Sequence, residues 1–175
     1  MRFKILLIIF ATIFLNAEFN IDNLPKYSIE YNPKSNPNIE LEKALKVAKQ
    51  KNKNILLVVG GNWCRWCGTF DNFLDDHPKV AKKFYNSFEV VRVYFGKNMT
   101  KETKEFLMQL PPIKGTPHFY ILNSNAKLLK SVDTSFLERG YGYNRKKVIK
   151  WIDENKNLSI ANKKRIKGEK NEKNI

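Results

Sequence analysis

A chain of 175 residues holds one ordinary domain and is too short for two comfortable ones. Its 42% hydrophobic residues and 12 phenylalanines suffice for a packed core. Its 32 Lys+Arg against 17 Asp+Glu give a net charge of +15, much of it lysine scattered singly among many asparagines. That spread reads as compositional bias rather than a binding surface, although a basic protein attracts anionic partners in a salt-dependent way.

Residues 1–17 read as a signal peptide. Arg2 and Lys4 make a positive start, Ile5 to Leu15 is apolar apart from Thr12, and Leu15-Asn16-Ala17 supplies a small residue for cleavage. The apolar run falls short of the roughly 20 helical residues that span a bilayer. No cysteine follows it to carry a lipid. The mature chain is therefore expected to be periplasmic or secreted.

Residues 18–38 carry Pro25, Pro33 and Pro37 and read as an irregular lead-in, with a short edge strand near Tyr27–Tyr31. A single domain over residues 39–155 follows. Leu41, Ala44, Leu45, Val47 and Ala48 recur at helical spacing from Ile39 to about Gln50. Ile55 to Val59 is a continuous apolar run ending in Gly60-Gly61, which suits a buried central strand. After Cys64 and Cys67 comes a helix bearing Phe70, Phe73 and Leu74. It is interrupted at His77-Pro78 and continued by Val80, Ala81 and Phe84.

Phe88 to Phe95 reads as a second strand, and Thr100 to Leu110 as a helix that Thr100 caps and Pro111-Pro112 closes. His118–Leu122, a turn at Asn123–Ala126 and Lys127–Val132 form a hairpin. A helix from Asn144 to Asn155 ends the domain. The glycine-punctuated loop Glu138–Tyr143 either borders the functional site or only connects. Residues 156–175 are a basic tail with little periodicity, expected to be disordered. The class is α/β: a central mixed sheet flanked by helices on both faces.

The only two cysteines are Cys64 and Cys67, placed where a strand gives way to a helix. A bridge across so short a loop removes little entropy from the unfolded chain, so the pair is poorly placed to stabilise and well placed to react. A thiolate at a helix start meets unsatisfied N–H groups and the positive end of the helix dipole. Cys64 is thus the entering nucleophile, and Cys67, one turn on, the resolving thiol. Trp63 narrows access to the pair. Arg65 favours the thiolate and an oxidising poise, and Trp66 offers aromatic surface to a substrate, unless both are merely tolerated there. A zinc site would need four ligands, and only His77 and His118 are added to the cysteines, so no metal is expected. His118, immediately after Pro117, either approaches the sulfur atoms or is a strand residue with one polar tip, and the second is the preferred reading.

These residues resemble the thioredoxin superfamily, specifically its exported single-domain thiol-disulfide oxidoreductases. The resemblance rests on Trp63-Cys64-Arg65-Trp66-Cys67 after an apolar strand, on the strand Val90–Val93, and on Gly115-Thr116-Pro117 before another strand. It implies a thioredoxin-like fold. It also implies a cis Pro117 lying against Cys64, and a Thr116 backbone that pairs with substrate. Val58 stands where thioredoxin keeps a buried acid, and Arg92 where a lysine accompanies that acid, so a general reductant is the poorer fit. The expected activity is exchange with protein thiols and disulfides. It needs no cofactor, calls for an unidentified redox partner and uses a monomer. No specific nucleic acid is implied. The rival is a non-catalytic binding module whose basic surface and tail contact anionic membranes weakly.

Overall fold

The computed structural model describes residues 19–158; the expected signal peptide and residues 159–175 of the expected tail lie outside the described residues. A 3-10 turn at Ile21–Asn23 leads to Pro25 and then α1 (Lys26–Ile29). This corrects the expected edge strand near Tyr27–Tyr31. Pro25 accepts at its carbonyl from Ser28 N (2.8 Å), closing a helical turn. Ser28 Oγ then donates to Val90 O at 2.7 Å. A side chain, not a backbone ladder, meets that carbonyl of the edge strand.

Helix α2 (Pro37–Lys51) begins at Pro37 rather than Ile39, because Asn36 caps it through Asn38 N at 3.0 Å and proline is well suited to a first turn. It buries Ala44 and Ala48 and ends at Asn52, whose φ of 50° is left-handed. Strand β1 (Asn54–Gly60) is buried throughout, as its apolar run predicts. α3 (Arg65–Asp76) and α4 (Pro78–Ser87) are separate helices, broken at His77. Proline denies its predecessor the helical conformation, and His77 sits at φ −128°, ψ 69°.

These helices supply the crossover that a parallel pair requires, and β2 (Phe88–Tyr94) returns parallel to β1. Helix α5 (Lys101–Met108) is capped by Thr100 Oγ1, which accepts from Thr103 N at 3.1 Å. Strands β3 (His118–Leu122) and β4 (Leu128–Asp133) form the antiparallel hairpin. β3 also pairs antiparallel with β1, giving the order β2-β1-β3-β4. The expected connecting loop folds as a second small hairpin, β5 (Glu138–Arg139) and β6 (Gly142–Tyr143). Helix α6 (Arg145–Asn155) is capped by Asn144, whose Oδ1 accepts from Lys147 N at 3.1 Å.

Alternation along the strands sorts two cores. Ile55, Leu57, Val59 and Tyr120 face α2 and α5 with Ala44, Ala48 and Phe106. Leu56, Val58, Val90, Phe119 and Ile121 face α3, α4 and α6. Phe70 of α3 anchors the second core, with ring centroids 5.5 Å from Phe84, 5.5 Å from Phe119 and 5.0 Å from Tyr143. Edge-on aromatic pairs of this kind each contribute about 0.5–1.5 kcal/mol beyond their buried area. They fix α3, and so its first turn, against the sheet.

Candidate active site

β1 delivers the chain to Gly60, whose carbonyl accepts from Phe95 N at 2.6 Å. By strand alternation Gly60 faces the same side as Leu56 and Val58, directly beneath the start of α3. It has to be glycine there: a Cβ would stand 2.5 Å from Cys67 Sγ. Cys64 N donates to Gly61 O at 2.9 Å, tightening the turn into the helix. Cys64 itself is the N-cap, with φ −86° and ψ 112°. Its Sγ accepts from Cys67 N at 3.1 Å, satisfying one of the donors that a helix start leaves free.

The two cysteines form a disulfide. Cys64 keeps 6% of its surface exposed and Cys67 only 1%. Cys64 is thus the sulfur nearer to solvent. The Thr116–Pro117 peptide bond is cis. Thr116 O lies 3.4 Å from Cys64 Sγ, a contact rather than a hydrogen bond because the bridged sulfur carries no proton. Thr134 Oγ1 donates to Pro117 O at 2.6 Å and anchors that loop from below.

The other expected contact residues surround the pair differently. Trp63 is 57% exposed, its Nε1 donating to Phe95 O at 2.7 Å. The indole lies over Gly61 and Gly96, where any Cβ would fall within 2.7 Å of Nε1. Arg65 is exposed. Trp66 is half-buried and meets Tyr143 edge-on at 5.9 Å. Tyr143 OH donates to Trp66 O at 3.4 Å, so the Glu138–Tyr143 segment does border the site. Pro117 is buried and Thr116 half-buried.

His118 points to the opposite face of the sheet, its Nε2 2.9 Å from Ser131 Oγ and its ring 4.6 Å from that of Tyr120. Burial holds its pKa below the usual value. It does not reach the sulfurs, as the reading of a strand residue anticipates. His77 stays at the helix break, with Nδ1 2.8 Å from Phe73 O.

Behind Cys67 lies a charged cluster that the sequence only half revealed. Arg92 pairs in register with Val58 and points into the core on the side of the cysteines. Its guanidinium grips Asp71 of α3 bidentately, at 2.6 and 3.1 Å, and donates from Nε to Ser28 O at 3.0 Å. It also lies 4.9 Å from the centroid of the Tyr31 ring. Burial raises the Asp71 carboxyl while Arg92 pulls it back down. Asp71 and Tyr31 were missed. An arginine inside an apolar strand requires a partner, and Asp71, one helical turn beyond Cys67, stood available as one. Tyr31 gave no comparable signal, lying in a proline-punctuated segment.

Against known proteins, the thioredoxin-like family model matches residues 36–124. The crystal structure of a disulphide isomerase from Xylella fastidiosa Temecula1 is 25% identical, with a TM-score of 0.59. The match covers 75% of this chain and 96% of that one. The C-terminal domain of Neisseria meningitidis DsbD, in the oxidised form, is 18% identical with a TM-score of 0.50, over 67% of this chain and 95% of that one. At that identity the likeness concerns the fold. No curated protein matches the chain. With the family matched over half of its length and a Cys-x-x-Cys disulfide at the head of α3, the chain belongs to the thioredoxin-like family and is a thiol-disulfide oxidoreductase.

Proposed function

We propose that this oxidoreductase works outside the cytoplasm on protein thiols and disulfides, with Cys64 as the reacting sulfur and Cys67 as the resolving one. The observation that carries the assignment is the asymmetry of the pair: Cys64 caps the helix and keeps an exposed edge, whereas Cys67 is sealed beneath it.

In the oxidising direction a substrate thiolate attacks Cys64 Sγ, and the Cys64–Cys67 bond breaks with its electron pair leaving on Cys67. A second substrate thiolate attacks the substrate sulfur of the mixed disulfide and releases Cys64 as a thiolate. The substrate is now oxidised and the enzyme is a dithiol. In the reducing direction Cys64 attacks a substrate disulfide and Cys67 displaces the substrate from Cys64. The helix start and the Cys67 N–H lower the energy of the Cys64 thiolate in both directions. Either way the pair must be reset by a redox partner.

Trp63, Arg65, Trp66, Thr116 and Pro117 ring Cys64 and form the surface a substrate strand meets. The reading of one domain over residues 39–155, acting as a monomer, belongs to the same proposal. So does export directed by residues 1–17, with a mature chain beginning at Glu18.

The test is direct. Cys64→Ser abolishes both insulin reduction and dithiol oxidation, and Cys67→Ser accumulates mixed disulfides with its substrates. Full activity in Cys64→Ser refutes the mechanism. The direction follows from the potential, near ~−120 mV for an oxidase or ~−270 mV for a reductant. N-terminal sequencing of the protein from an extracytoplasmic fraction tests the export reading.

A further inference from the structure

The Tyr31 hydroxyl is buried and has no hydrogen-bond partner among the described residues. Native structures rarely leave such a group unpaired, so its position calls for a physical reason. The ring is 5% exposed and firmly held. Arg92 covers one face, and Asp71 and Ser28 O hold Arg92 in turn. Asn62 Nδ2 of the active-site turn donates to Tyr31 O at 3.3 Å. The hydroxyl borders the space left open by the missing side chain of Gly60, where a Cβ would stand 3.1 Å from Tyr31 Oη. The same point lies 2.5 Å from Cys67 Sγ. The phenol and the buried sulfur therefore flank one gap that only glycine keeps clear.

We propose that the Tyr31 hydroxyl donates a hydrogen bond to Cys67 Sγ whenever the Cys64–Cys67 bond is open, stabilising the Cys67 thiolate that leaves and later returns. This rests on the reading of Cys64 as the attacked sulfur. A bridged sulfur is a weak acceptor, which accounts for a hydroxyl without a partner in the oxidised form; a thiolate is a strong one. When a substrate thiolate bonds to Cys64, Cys67 takes the electron pair of the broken bond and the phenol O–H turns onto it. The O–H bond stays intact, and no proton or further reactant is consumed. On return, the Cys67 thiolate attacks Cys64, the substrate thiolate leaves, and the hydrogen bond is given up.

The phenol suits this part because it remains protonated. Burial pushes its pKa well above the usual range, Arg92 of β2 pulls it down, and Asp71 of α3 and Tyr85 of α4 push it up. Tyr143 of β6 also stands in this neighbourhood, and its own phenol is raised chiefly by burial. Val58, on the same face, brings no acid to compete.

The experiment titrates Cys67 by its ultraviolet thiolate absorbance in the full chain carrying Cys64→Ser, with and without Tyr31→Phe. The phenylalanine keeps the ring under Arg92 and removes only the donor. At a fixed pH below the Cys67 midpoint, the thiolate fraction is expected to fall about tenfold in Tyr31→Phe, the loss of one charge-assisted hydrogen bond. Replacement of Tyr31 by a fluorinated tyrosine, a stronger donor of nearly the same shape, is expected to raise that fraction instead. A purely structural role moves neither titration in these opposite senses. Superimposable curves for all three proteins overturn the inference. If Tyr31→Phe does not fold, the fluorinated variant decides. The titration needs no substrate, so its failure is separate from failure of the exchange activity in the wild-type chain.

Discussion

Gly60→Ala probes how tightly the active-site helix is seated on β1. The new methyl would stand 2.5 Å from Cys67 Sγ, half an ångström inside the 3.0 Å that Cβ contacts respect. Overpacking of this kind costs about 1–3 kcal/mol. In the oxidised protein Sγ is tethered to Cys64 and cannot swing away, so the cost falls in full. After reduction the Cys67 thiol turns about its own Cα–Cβ bond and escapes part of the clash. The gain from a stiffer unfolded chain, about 0.4–1 kcal/mol, is common to both redox forms and cancels between them. If roughly half of the clash is relieved, the disulfide weakens by about 0.5–1.5 kcal/mol, which raises the reduction potential by about 10–30 mV. The assay equilibrates wild type and variant in glutathione redox buffers and reads the dithiol fraction by alkylation. Urea unfolding of the oxidised and reduced forms runs beside it. The reasoning fails if both forms lose equal stability and the potential stays put, because the strand rather than the sulfur has then yielded.

Two further predictions concern buried charge. Arg92 and Asp71 form an unequal pair, their side chains 3% and 36% exposed. Asp71→Ala strands a guanidinium in the core and is expected to cost about 3 kcal/mol, whereas Arg92→Met leaves a carboxylate that reaches water and costs about 1–2 kcal/mol. Urea unfolding at neutral pH measures both, and the reverse order would contradict the role assigned to burial. His118 sets a pH dependence. Burial, its largest influence, holds the folded pKa below 6.5, so the unfolded chain binds more protons and stability declines as pH falls through that value. Urea midpoints from about pH 8 to about pH 5 are expected to fall in wild type and to flatten over that window in His118→Gln. An unchanged slope in the variant would exclude His118 as the source.

Much of this molecule is written in short stretches of chain. The apolar run before Gly60 is short, rich in β-branched residues and closed by Gly60-Gly61, which favours a buried strand over a helical segment. Thr100 and Asn144 cap their helices through donors three residues ahead, and Pro78 breaks the helix behind His77 by local sterics. The pairing of Cys64 with Cys67, at the end of one such strand and the head of one such helix, belongs to this class. It needs only residues within one helical turn.

What the chain could not show locally depends on segments far apart in sequence. Tyr27–Tyr31 reads as a short edge strand, yet Lys26–Ile29 folds as a turn of helix whose Ser28 Oγ donates to Val90 O across the core. Glu138–Tyr143 reads as a connection, yet packs Tyr143 on Phe70 and Trp66. Arg92 announced an unmet charge, but only the packing of α3 against the sheet brought Asp71 to it. The cysteine pair and its spacing were thus determined by sequence. The surroundings of the buried sulfur were decided by tertiary structure: Gly60 beneath it, Tyr31 beside it and Arg92 behind. A side chain's partners across the core are set by strand register and helix placement, which no short window of residues contains.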